Sequence, residues 1–119
     1  MTQQQSPPYA PGCADAGAQV ARLREVLALV EELAGRDPRP PGDGALDEAA
    51  LLSAAYERAL PIDQKRFDAF AGETARWASV GVETLLKLEE AGFPVGAAAA
   101  RLAEELEKAL VRLSQRLPG

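Results

Sequence analysis

Histidine is absent from the 119 residues, and cysteine and tryptophan occur once each, at Cys13 and Trp77. A single cysteine forms no disulfide within the chain, and without histidine or a second cysteine there is no zinc-ligand spacing. The missing imidazole removes the usual base for a nucleophile, so Ser53 and Ser79 have no histidine to activate them. Di-iron helical bundles need inward Glu-x-x-His pairs, and the acidic pairs Glu31-Glu32, Glu89-Glu90 and Glu104-Glu105 fall on polar faces or flanks instead. We therefore expect no catalytic residue, no metal and no cofactor, and read the protein as not an enzyme.

β-branched residues are equally scarce. Seven valines, one isoleucine and three threonines stand against 24 alanines and 16 leucines, the strong helix formers. The chain reads as all-α, and its length suits one domain that buries well over half of its unfolded surface. Long apolar runs are lacking too. The longest uncharged helical stretch, Ala91 to Ala100, is interrupted by Gly92, Pro94 and Gly96, so no membrane span is expected. The opening MTQQQSPPYAPG has neither the basic nor the apolar region of a signal peptide, which reads as a cytoplasmic protein. Basic residues number 13 against 18 acidic, a net charge of −5 that works against nucleic acid as partner.

What is present is helical periodicity with punctuation. Residues 1–14 join three glutamines to three prolines and read as a disordered tail, ahead of one helical domain over 15–117. From Asp15 as N-cap, Ala16, Val20, Leu23, Leu27, Val30 and Ala34 recur on one face, with Val26 and Leu33 widening it, until Gly35 offers a C-cap. Three prolines and three glycines between Gly35 and Ala45 predict a loop at 35–46. Asp47 then caps a second helix with the staple spacing Leu46 to Leu51 and the core face Leu52, Ala55, Tyr56 and Ala59.

After Pro61 the same device returns: Asp63 as cap, Ile62 before it and Phe67 at the staple position, opening a third helix from about Gln64 to Ala91. Its apolar face carries Phe67, Phe70, Ala71, Thr74, Trp77, Ala78, Gly81, Val82, Leu85 and Leu88, and its other side Asp68 among several charges. Gly92 closes it and Phe93-Pro94 starts the fourth helix, with the stripe Val95, Ala99, Leu102, Leu106, Ala109, Leu110, Leu113 and Leu117. So short a connection makes the last two helices a long antiparallel hairpin, in which Trp77 lies near Leu106 and Ala109, and Phe70 near Leu113 and Leu117. The expected fold is a small antiparallel bundle of about four helices.

At 1.5 Å per residue the third helix is roughly twice as long as the second, which cannot cover it. Either the first helix completes the cover or another chain does. The expected function is accordingly protein–protein interaction, as an adaptor or regulatory module and simplest as a homodimer. Phe67, Phe70, Trp77, Val80 and Leu88 are the candidate partner-binding residues, because large side chains concentrate interface energy. The alternative is an acidic regulator of nucleic-acid transactions. It rests on a helix-turn-helix outline at 84–105, whose second helix opens on Val95 to Ala100 without the polar side chains that read bases. Gly81 on the core stripe suits close helix approach, Gly72 lies off it, and Val80 and Val111 point outward.

Overall fold

The structure, a computed structural model, describes residues 16–36 and 43–117, with the backbone alone for 43–47. Four helices pack together and no strand occurs among the described residues: α1 (Ala16–Leu33), α2 (Asp43–Arg58), α3 (Pro61–Glu90) and α4 (Gly96–Arg116). The tail expected over 1–14, with Cys13, and residues 37–42 of the expected loop lie outside the described residues.

Helix ends follow local chemistry. Gly35 and Gly92 both take positive φ, 80° and 90°. Each ends its helix in the same paired arrangement: the Gly35 N–H donates to the Glu32 carbonyl and Arg36 to Glu31, and the Gly92 N–H donates to Glu89 and Phe93 to Leu88. These bonds satisfy carbonyls that a helix end otherwise leaves orphaned, and only glycine adopts the required φ without strain.

The helix starts differ from the sequence reading. α2 begins at Asp43, four residues before the expected cap Asp47, so the expected loop 35–46 is shorter. No proline follows Pro41 there, and Gly44 costs a helix only about 1 kcal/mol. Leu51, half of the expected staple, is 71% exposed, and the side chain of its expected partner Leu46 lies outside the described residues. α3 opens with Leu60 as N-cap and Pro61 in its first turn, and Asp63 lies inside the helix rather than capping it. Proline's fixed φ is already helical, and the N–H it lacks has no helical acceptor there. Ile62 is exposed while Phe67 is buried, so the second staple does not form. α4 starts at Gly96 with Val95 as N-cap, which leaves Pro94 in the reversal rather than in the first turn.

α1 is the hub of the bundle: it packs against α4, α2 and α3, while α3 and α4 pack on each other. Its direction is fixed by contacts at both ends. Gln19 near its start donates to Asp68 near the start of α3 at 3.1 Å, and the Ala34 carbonyl beyond its end lies beside Gly96 at the start of α4. Hence α1 runs parallel to α3 and antiparallel to α4. It also runs antiparallel to α2, since Arg24 meets Glu48 and the earlier Gly17 meets the later Ser53.

The core follows the stripes: Val20, Leu23, Leu27 and Val30 of α1, Leu52 and Ala55 of α2, Phe67, Ala71, Ala78 and Leu85 of α3, and Ala99, Leu106, Leu110 and Leu113 of α4 are buried. Ala103, absent from the expected stripe, is fully buried as well, its small side chain admitting a close neighbour. Among the described residues Thr74 is the buried polar side chain, and its hydroxyl is satisfied by donating to the Phe70 carbonyl at 2.8 Å.

Polar ties join the elements at the rim. Asp68, expected to be solvated, is half-buried and accepts from the Tyr56 hydroxyl at 2.8 Å as well as from Gln19. The Arg24 guanidinium makes a two-pronged contact with Glu48, at 2.9 and 2.8 Å. That hydrogen bonding holds Arg24 above its ordinary pKa against partial burial, with the charges of Glu48 and Glu107 adding to it. A largely exposed pair of this kind contributes at most about 1 kcal/mol.

Two glycines within helices have opposite surroundings. A Cβ on Gly81 would meet the Leu102 methyls at 2.8 and 3.3 Å, so the missing side chain is what lets Leu102 lie across α3. Gly72 has nothing within 4 Å of its Cβ position. Gly72→Ala should therefore stabilise the protein by about 0.5–1 kcal/mol, read as a higher urea midpoint at unchanged slope.

Candidate functional site

The α3–α4 hairpin has an inner face against α1 and an outer face that no described helix covers. α2 is the helix available to cover it, and α2 packs on α1 instead. The outer face holds a groove of about 350 Å³ lined by Phe70, Trp77, Leu102 and Ala109 on its floor, with Glu73, Glu105, Lys108 and Arg112 beside them. Phe70, Trp77 and Leu102 are half-buried, packed against the core from one side and open on the other.

Regular helix geometry places each of these residues. Phe70, Glu73 and Trp77 lie three and four residues apart, one turn each along a single face of α3. Leu102, Glu105, Lys108 or Ala109, and Arg112 repeat that spacing on α4, the most sharply two-faced of the four helices. The Arg116 guanidinium sits 4.5 Å over the Phe70 ring. Glu105 and Lys108 form an exposed pair at 3.5 Å on one rim.

The five sequence candidates are not brought to one place. Phe67 has no exposed surface, lies edge-on to Tyr56 with ring centroids 5.9 Å apart, and belongs to the core rather than to a partner surface. Phe67, Ala71, Thr74, Ala78 and Leu85 define the buried line of α3, and a residue on it is enclosed whatever its size. Phe70 and Trp77 share the groove. Val80 stands outward at 62% exposure, as Val111 does on α4. Leu88, expected on the core stripe, is exposed in the last turn of α3, where the chain reverses.

Other exposed apolar side chains are Leu60 and Ile62 at the α2–α3 junction, Leu86, Leu88 and Phe93 near the α3–α4 reversal, Leu29 on α1 and Leu51 on α2. No described helix is long and apolar enough to cross a membrane. The helix-turn-helix outline at 84–105 is not carried into the geometry. Arg116 still touches Phe70 far from the reversal, so the two helices stay together along their length, whereas a helix-turn-helix splays its pair at about 90–120°. The first turn of α4 presents Ala97 and Ala98 to solvent.

No protein-family model, curated protein or solved structure matches this chain. The groove must then be read from its own residues. Trp77 and Phe70 were legible as large side chains on the α3 stripe; that they open outward was not, because it depends on where α2 packs. The rim charges carry no sequence signal beyond their spacing.

Proposed function

We propose that this chain is a non-catalytic protein-interaction module that associates with itself through the outer face of the α3–α4 hairpin. The observation that carries the reading is the groove itself: two aromatic side chains of α3 and a leucine of α4, half-buried between the two helices, with charged residues at its rims. That is the anatomy of an interface, with an apolar centre for energy and a polar rim for orientation. Tryptophan is among the residues most enriched at such centres, and the groove has the chain's single one.

Light scattering across a concentration series tests the reading. The mass should rise from 12.6 kDa towards twice that value as concentration increases. A mass that stays at 12.6 kDa throughout would overturn self-association.

A further inference from the structure

We infer that the groove is closed by the same groove of a second copy, around a two-fold axis that runs along the hairpin. This rests on the self-association reading and deepens it by naming the face and the pairing. The argument is the distribution of charge across the groove. Its α3 side carries Glu73, and its α4 side carries Glu105, Lys108 and Arg112; Lys108 is paired with Glu105, so Arg112 leaves the α4 side net basic. In the hairpin register Glu73 and Arg112 stand at about the same level, one on each rim. They do not pair within the chain: the ion pairs among the described residues are Arg24–Glu48 and Lys108–Glu105.

A two-fold axis parallel to the hairpin keeps every residue at its level and exchanges the rims. α3 of one copy then lies over α4 of the other, so Glu73 of each copy meets Arg112 of the second copy, once on either side of the two Trp77 rings. An axis across the hairpin stacks like on like instead, the Glu73 side of α3 on itself and the net basic Arg112 side of α4 on itself, and like charges brought together at an interface are strongly unfavourable. Closed two-fold contacts are self-complementary by construction, and an acidic rim facing a basic rim at one level is what that symmetry requires. The contact forms a second, intermolecular four-helix arrangement that buries Phe70, Trp77 and Leu102 from their open side.

Two single charge reversals test the pairing. Both sites are exposed, so both variants should keep the fold, checked by circular dichroism. Glu73→Arg makes both rims basic and Arg112→Glu makes both acidic, so each variant alone should dimerise at least about tenfold more weakly than the natural chain. Mixed one to one, the two should form a heterodimer of near-natural affinity, because each acidic rim then faces a basic one. Trp77, as the single tryptophan, should also be less open to acrylamide in the dimer than in the monomer.

If the natural chain dimerises but neither reversal weakens it, or Trp77 is quenched equally in both states, another face makes the contact. The inference then falls while self-association stands. If single variants are weakened and their mixture is not restored, the Glu73–Arg112 pairing is wrong. A natural chain that is monomeric throughout overturns both the inference and the reading beneath it.

Discussion

Replacing Phe67 with alanine should remove about 3–5 kcal/mol of stability, the usual range for emptying a fully enclosed aromatic site. Phe67 is the largest of the completely buried side chains, and its surroundings leave little room for relaxation. Tyr56 meets the ring edge-on at 73°, and Tyr56 is itself held by its hydrogen bond to Asp68, one residue along α3. Tyr56 therefore cannot swing into the cavity without giving up that bond. The same truncation at Trp77 removes a larger side chain and should cost clearly less, because one side of the indole is already open to the groove. Urea unfolding followed by far-ultraviolet circular dichroism measures both, with stability read from the midpoint. A Trp77→Ala loss equal to or above that of Phe67→Ala would mean that the indole is enclosed in solution, and measured at dimer-forming concentration it would reflect burial by a second copy.

The contrast between these two residues shows what periodicity reveals and where it stops. Spacing at 3.6 residues identified the buried lines of α1, α2 and α4 almost side chain by side chain, and on α3 it included the buried line within a wider stripe, since each amphipathic helix must turn one stripe inward whatever its neighbours are. The C-terminal glycines were equally legible, because a positive φ demands glycine locally. The starts of α2, α3 and α4 were not. At each, two or three residues satisfy some capping preference, and the choice between Pro61 and Asp63, or between Pro94 and Val95, is settled by how the whole helix packs. Asp68 looked like solvated charge because its two donors, Gln19 and Tyr56, lie 49 and 12 residues away. The open groove escaped for the same reason: that Phe70 and Trp77 face outward while Phe67 faces inward is decided by α2 lying on α1, which no local spacing encodes.

The most local of residues, a glycine, carries the strongest tertiary signal of this kind. At Gly17, buried near the start of α1, an added Cβ would collide with the Ala49 carbonyl oxygen and lie 2.5 Å from the Ser53 hydroxyl. The Ala49 obstacle is backbone, so no rotamer change relieves it, and α1 and α2 must separate. α1 has little freedom to do so because it also packs on α3 and α4. Gly17→Ala gains up to about 1 kcal/mol of helix propensity, yet overpacking of a close crossing typically costs about 1–3 kcal/mol, and displacing a backbone lies at the upper end of that range. The expected result is a net loss of about 1–2 kcal/mol in urea unfolding, together with weakened contact between Arg24 and Glu48, which spans the same pair of helices. Gly72→Ala makes the identical chemical change in open space and should move stability the other way. If both substitutions stabilise the protein alike, α1 and α2 do not approach at Gly17. The placement of α2 that leaves the outer face of the hairpin open would then fail with it.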